Sequence, residues 1–460
     1  MKEVNLITIG AGGGAYPAAF RLARAGQKVV MVDKKGLMSG NCLAEGCVPS
    51  KAIREAAGVF RQTQRMRNFG LSGSTAFDYS EVVAHKNRVQ TLRYEQHGRE
   101  LAEAKDHLKL IKGTARLIEP HIVEIETDAG LERYHADNII IASGSDVAIP
   151  PIPGADLCIT SRDIYGLNPP IVQPPKRIAI IGGGYIGLET ASILSIFGVR
   201  VHVMEMMEQV LPGMDSDFVS LLVSLLDPRI ELILEAQVER VDRKGELMSV
   251  HYSQDGQQKV IEGEQVMMAA GRRPVIPEGS EAIGLEFEHR GLKVNAALQT
   301  NFPHIYACGD VNGRSPLFHS AVRQSIVAAH NILAGNTPID YMDFSAVPTT
   351  IFTFPEAAYI GITRNTAKSR GLSVVETGYA FTEDTRAQIF DETAGEVRLF
   401  FDVGSLRLVG GWVVGIDAAN LINEIGLGVS SGLTAHNLAR FPDQHPMAAE
   451  GVSKAARRLF

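Results

Sequence analysis

A glycine-rich turn between a buried strand and a helix occurs twice in this chain, both times at the same spacing. The first copy, VNLITIGAGGGAYPAAFRLARAGQKVVMVD, passes from an apolar run at 4–9 through Gly10, Gly12 and Ala15 into an amphipathic segment, then a second apolar run at 28–32 closed by Asp33. The second copy, RIAIIGGGYIGLETASILSIFGVRVHVME, places Gly182, Gly184 and Gly187 in the turn and Glu205 at the end. In each, 23 residues separate the first glycine from the acid. Such a βαβ unit has a physical logic: the first small residue allows the tight turn, the second lets backbone approach a pyrophosphate, and the third lets the helix pack on the strand. The helix amino terminus adds free N–H groups and a positive dipole end. One copy alone is weak evidence, because glycine turns after strands are common, whereas two in register predict two dinucleotide sites. Asp33 and Glu205 are expected to accept from ribose hydroxyls. At the second site Met206 and Met207 follow the acid with no Arg, which favours NAD over NADP because a carboxylate repels a 2′-phosphate.

With 460 residues the chain is too long for one core, and domains of roughly 100 to 200 residues predict two to four of them. The segments NIIIASGS at 138–145 and QVMMAAGRRP at 265–274 each read as a strand entering a small-residue turn, and each is expected to act as a hinge. A proline-rich run, IPPIPGADLCITSRDIYGLNPPIVQPPKR, predicts an extended crossing between domains. TNFPHIYACGDVNG ends a strand at Gly309 and Asp310, a carboxylate placed to meet a sugar hydroxyl. The next segment reads by itself as a core helix, with its amino terminus near Leu317, Phe318 and His319 expected to face an electron-rich ring. Beyond about Ser345, alternating strands such as EVRLFFDV and two helical stretches predict an α+β terminal domain. The expected fold class is α/β, with two Rossmann-like dinucleotide-binding domains and that third domain. The expected boundaries are 1–150 with 271–344, then 151–270, then 345–460.

A formal charge of −7, without a polybasic tract, argues against binding to a nucleic-acid backbone. Glycines break the apolar run at the amino terminus, unlike a signal peptide. No stretch approaches about 18 uninterrupted apolar residues, so no membrane span is expected and the cytoplasm is the expected compartment. In that reducing compartment a structural disulfide is uncommon, which focuses interest on GNCLAEGCVPSK. It holds Cys42 and Cys47, two of only four cysteines. Such a pair is catalytic, redox-sensing or metal-binding, and a zinc site would need two further ligands that no second close pair or local histidine supplies. Cys158 and Cys308 read as packing thiols. Pro49 suits a first helical turn, so a Cys47 thiolate would sit near a helix start and be stabilised by its dipole. Lys51, four residues on, shares that helix face. Thiol exchange also needs a base, and His445 with Glu450 five residues on is a histidine held by a carboxylate.

Taken in order, the first fingerprint with Asp33, GNCLAEGCVPSK, ASGS, GGGYIGLE, AAGRRP, YACGD, FTFPEAAYIG and QHPMAAE resemble the pyridine nucleotide–disulfide oxidoreductases over nearly the whole chain. The resemblance implies FAD on the first fingerprint and on Asp310, with Lys34, Asn41, Lys51, Ala115, Ser143, Gly144, Leu317, Phe318 and His319 as further cofactor positions. It implies NAD(H) on the second fingerprint with Gly271, and Tyr185 covering the nicotinamide pocket. Cys47 is then the thiolate that faces the flavin, and Cys42 the interchange thiol. Lys51 pairs with Glu189 near flavin N5. A homodimer through the carboxyl-terminal domain carries the His445–Glu450 dyad across to the other subunit's cysteines, with a cis peptide before Pro446.

Within the family, Glu205, the intact cysteine pair and the cysteine-free ending GVSKAARRLF fit the dihydrolipoamide dehydrogenase branch, which oxidises protein-bound dihydrolipoamide with NAD. A lipoyl-bearing carrier protein or a lipoamide-like disulfide is the implied partner. The alternative is an NADH-dependent reductase of another small or protein disulfide. Three positions depart from the pattern: Ser39-Gly40-Asn41 replaces the usual Gly-Gly-Thr, Met447 replaces Thr, and Glu45 stands between the cysteines. Glu45 is expected to raise a thiol pKa or to meet a carrier protein.

Overall fold

The computed structural model describes residues 1–288 and 291–460, and both glycine turns lie at the carboxyl ends of parallel strands. The first leaves the strand Lys2–Ile9 and enters the helix Tyr16–Arg24. Leu6 and Ile7 have no exposed surface, as expected of a continuous apolar run covered on both faces. Across that sheet the order is Leu108–Lys112, Val29–Asp33, Lys2–Ile9, Gly130–Ile141, Ile122–Thr127 and Thr114–Glu119. A seventh strand, Ile305–Ala307, returns from far along the chain to pair in parallel with Gly130–Ile141. This return carries Asp310 to the carboxyl end of the sheet, beside the first turn.

The second turn leaves Arg177–Ile181, which lies between Arg200–Met204 and Gln265–Met268 in a four-stranded parallel sheet completed by Ile230–Ile233. An antiparallel sheet of Gln237–Lys244, Leu247–Gln254 and Gln257–Gly263 stands beside it.

The two turns are built alike down to single hydrogen bonds. Gly10 N–H donates to Val32 O at 2.7 Å and Gly182 N–H to Met204 O at 2.8 Å. Ala142 N–H reaches Ile9 O, and Ala269 N–H reaches Ile181 O, both at 2.8 Å. Gly10 (φ +109°) and Gly182 (φ +117°) occupy backbone conformations that favour glycine, and a Cβ there would fall 2.2 Å from Ala142 O or 2.3 Å from Ala269 O. The ASGS and AAGR segments therefore cross directly against the two turns, which explains why both motifs recur with the fingerprints.

From Thr349 a five-stranded antiparallel sheet forms in the order Thr349–Ile351, Ala357–Gly361, Leu408–Val414, Glu396–Asp402, Val374–Ala380. Its Leu399 and Val413 pack with Ile425 of the helix Ala418–Ser430. Phe400, Trp412 and Val414 instead join a core shared with Leu188 and Phe218 of the second nucleotide unit. The α/β class with an α+β carboxyl-terminal part is as expected. The proline-rich crossing differs in detail, because Thr160 and Asp163 form a capping box and start a short helix, Ser161–Tyr165, inside it. Among the described residues no helix is long and apolar enough to cross a membrane.

Candidate active site

One cavity of about 1430 Å³ is lined by both glycine turns and by the cysteine pair. Gly10, Gly12 and Asp33 belong to its wall, as do Cys42, Cys47, Lys51 and Glu189, and Gly182, Gly184, Tyr185 and Glu205. Asn41, Ser143, Gly144, Gly271, Asp310, Leu317, Phe318 and His319 line it too. Four expected contacts are not among the lining residues. Ala15 has no exposed surface, and a Cβ on Gly187 would fall 2.0 Å from Gly182 O, so these two serve helix packing. Lys34 is exposed, and Ala115 is buried in its strand opposite Ile125.

The wall fits dinucleotides. The helix Tyr185–Ile196 carries no side-chain cap at its amino terminus, which leaves its first N–H groups for a ligand, whereas in the helix Tyr16–Arg24 the Tyr16 N–H donates to Gly12 O at 3.1 Å and the Ala18 N–H to Ser325 Oγ at 2.9 Å. A Cβ on Gly184 would meet nothing within 4 Å, and one on Gly12 would meet only Gly40, which leaves room beside each turn for a phosphate group. Glu205 is buried, and its carboxylate accepts from Gly183 N–H at 2.9 Å and Met207 N–H at 3.0 Å, tying the second turn to the end of its own strand. Asp310 accepts from the Ser145 hydroxyl, and Arg272 holds Ser145 through Nε to Oγ and Nη2 to the carbonyl, each at 2.8 Å. Asn41 donates to that same Ser145 carbonyl at 2.8 Å. Tyr185 Oη and Tyr359 Oη share a hydrogen bond of 2.7 Å at the cavity wall.

Cys47 opens the helix Cys47–Gln64, and both cysteines are free thiols. The hydrogen bond between them acts in opposite directions: as the chief influence it pushes Cys42 up, reinforced by burial, and pulls Cys47 down. For Cys47, burial and Glu189 oppose this, while the Lys51 charge assists it. The two sulfurs are thus pushed apart, Cys42 towards the thiol and Cys47 towards the thiolate. Lys51 Nζ lies 2.7 Å from Glu189 Oε2 and 4.3 Å from the centre of the Phe352 ring, while Phe352 N–H donates to Glu189 Oε1 at 3.0 Å. Burial keeps Cys158 up at about 11 and raises Cys308 too, so both stay protonated.

Glu45 differs from expectation. It is buried, and its carboxylate pairs with Arg162 Nε at 2.9 Å and Lys35 Nζ at 3.3 Å. It does not figure among the influences on either thiol. Two cations drew the carboxylate inward, and it now anchors the loop between the cysteines to the helix Ser161–Tyr165. Sequence reasoning also missed Ser145, Arg272 and Phe352, although each lies in or beside a motif already singled out. Ser39, in another of the departures, stands at φ +80° with its hydroxyl 2.8 Å from His97 Nε2, and His97 Nδ1 lies 3.0 Å from Glu100 Oε2.

His445 Nδ1 lies 2.9 Å from Glu450 Oε1, and the peptide before Pro446 is cis. Burial pushes Glu450 up, but the Met447 N–H, Lys454 and His445 together outweigh it and hold the carboxyl below its usual value. His445 is 65% exposed, and neither member of the dyad lines the cavity that holds the cysteines.

The model of the family described as pyridine nucleotide-disulphide oxidoreductase matches residues 4–325, and the model of that family's dimerisation domain matches 347–456. A dihydrolipoyl dehydrogenase of Staphylococcus aureus is 31% identical over 463 residues, covering 100% of this chain and 97% of the relative. Among solved structures, LpdA of Mycobacterium tuberculosis superposes with a TM-score of 0.90 and the HOCl-induced flavoprotein disulfide reductase RclA of Escherichia coli, as its Cu(II) complex, with 0.88. Each is 24% identical and each match covers 100% of both chains, a likeness of fold.

Proposed function

The chain belongs to the pyridine nucleotide-disulphide oxidoreductase family, and from that premise we propose that it oxidises a dihydrolipoamide-type dithiol with NAD through Cys42 and Cys47. Its cofactors are FAD and NAD(H). When bound, FAD supplies the two-electron link between nicotinamide chemistry and sulfur chemistry. The first turn, Asp33 and Asp310 hold it, in a unit made of 1–150 and 271–344. The second turn with Glu205 holds NAD(H), in a unit of 151–270, and 345–460 makes the dimer.

In the net reaction the substrate dithiol becomes a disulfide, NAD becomes NADH, and one proton is released. Cys42 exchanges with substrate sulfur: the substrate thiolate attacks the Cys42 sulfur of the oxidised pair, the Cys42–Cys47 bond breaks, and Cys47, the sulfur of lower pKa, leaves as the thiolate. Lys51 keeps Cys47 ionised. His445, oriented by Glu450, takes the substrate thiol proton across the subunit interface. The observation that carries this reading is a pair of free cysteines five residues apart, one of them opening a helix, in one cavity with both glycine turns. A lipoyl-bearing carrier protein in the cytoplasm is the partner this reading assigns.

The test is turnover of purified, flavin-loaded protein with dihydrolipoamide and NAD, and with lipoamide and NADH. Activity that vanishes in Cys42→Ser and in Cys47→Ser supports the proposal. NADH oxidation by other disulfides, with none by lipoamide, would replace the assigned substrate.

A further inference from the structure

The loop between the two cysteines is gripped from behind by a pair of residues on a different helix. Lys86, on the helix Tyr79–Glu103, has no exposed surface and forms no ion pair among the described residues. Its ammonium donates to Gln90 Oε1 at 2.9 Å, to Tyr165 O at 3.5 Å and to Gly166 O. An ammonium has donors only, so the Gln90 amide must turn its oxygen towards Lys86. Both amide hydrogens then point the other way, and Nε2 donates to Leu43 O at 2.9 Å and Ala44 O at 3.0 Å. These carbonyls lie between Cys42 and Cys47, in the short helix Gly40–Glu45, whose last carbonyls have no partner within the helix.

We propose that Lys86 and Gln90 are positioning residues of the redox pair: the buried ammonium fixes the amide, the amide clasps the Leu43 and Ala44 carbonyls, and this clasp holds the Cys42–Cys47 segment in its dithiol geometry. The proposal rests on the reading that Cys42 and Cys47 cycle. Reduction breaks the S–S bond with two electrons, supplied by the dithiol substrate or NADH, and one proton, leaving a Cys42 thiol and a Cys47 thiolate. The clasp is seen with both cysteines free. Gln90 has no exposed surface either, so water cannot replace its bonds. A neutral side chain at position 86 would let the amide turn over and present an oxygen to the loop carbonyls, converting two attractions into repulsion. Burial lowers the Lys86 pKa to about 8, which still leaves it charged at neutral pH.

The experiment measures the dithiol–disulfide equilibrium of the flavin-loaded protein against a thiol redox buffer, together with the long-wavelength absorbance of a thiolate beside flavin. Gln90→Glu keeps a partner for Lys86 but has no N–H for the loop. The expected result is a shift of about tenfold towards the disulfide, about 30 mV for a two-electron couple, with a weaker band. Lys86→Met is expected to shift the equilibrium the same way. Gln90→Leu, which removes the donors without adding charge, replaces Gln90→Glu if that variant does not fold. Folded variants whose equilibrium stays within about twofold of wild type overturn the proposal. A wild-type protein with no reducible pair would instead overturn the proposed function.

Discussion

Lys51 Nζ and Glu189 Oε2 lie 2.7 Å apart, joining the helix that begins at Cys47 to the helix of the second glycine turn. The pair acts on Cys47 with opposite signs, Lys51 lowering and Glu189 raising its pKa. Lys51→Met removes the lowering influence and leaves the carboxylate unbalanced, so the thiolate absorbance should appear only at higher pH than in wild type. Glu189→Gln should move that midpoint the other way. Absorbance followed through a pH titration of the reduced, flavin-loaded protein checks both, and shifts of the same sign in the two variants would refute the assignment.

Gly10 and Gly182 are matched positions with matched obstacles, so alanine should fail at each in a separable way. A Cβ would meet the Ala142 or Ala269 carbonyl at a φ that already favours glycine, a cost of roughly 2 to 4 kcal/mol. Gly182→Ala should retain FAD but bind NADH poorly. Gly10→Ala should purify with little flavin. Denaturant unfolding and flavin content distinguish the two.

Glu205 both accepts two backbone N–H bonds and presents its charge to the cavity. Glu205→Gln keeps an oxygen for the backbone but removes the repulsion of a 2′-phosphate. The preference for NADH over NADPH should narrow by roughly tenfold, about 1.4 kcal/mol, as read from kcat/KM with each nucleotide. An unchanged ratio would mean that the charge does not face the ribose.

Much of this was legible because the informative residues are locally constrained. Two glycine turns need their glycines, and a redox pair needs its cysteines at close range. What stayed hidden depends on partners distant in sequence. Glu45 looked poised to act on the thiols until Arg162, more than a hundred residues away, drew it inward. The helix Tyr79–Glu103 gave no apolar stripe, because its buried positions include Lys86, Gln90 and His97. Their spacing is that of a helical face, but their chemistry is that of a surface, so periodicity alone passes them by. Lys34 and Ala115 were placed by resemblance without a local reason, and neither lines the cavity.

Lys86 also makes a stability prediction with a definite sign. Burial lowers its folded pKa from 10.5 to about 8. Below about 8 the group is charged in both states and the folded protein bears the full burial penalty. Between about 8 and 10.5 the folded state has released the proton while the unfolded state still holds it, so wild type gains stability relative to Lys86→Met as pH rises. The unfolding free energy of wild type relative to Lys86→Met should therefore rise from pH 7 to pH 10, as measured by denaturant unfolding, and a constant difference would show that Lys86 is not a buried cation.

The position of the dyad yields a test that needs no structure of the dimer. Neither His445 nor Glu450 lines the cavity of its own chain, so a site completed by the other subunit should be restorable from two inactive proteins. A Cys47→Ser subunit paired with a His445→Gln subunit carries one site in which both residues are intact and one in which neither is. After random subunit exchange half of the dimers are mixed, and about a quarter of wild-type activity should return. If histidine and cysteine served within one chain, no mixed dimer would hold a complete site and nothing would return. Glu450→Gln in place of His445→Gln should behave alike but with residual activity, since the histidine remains and only its orientation is loosened.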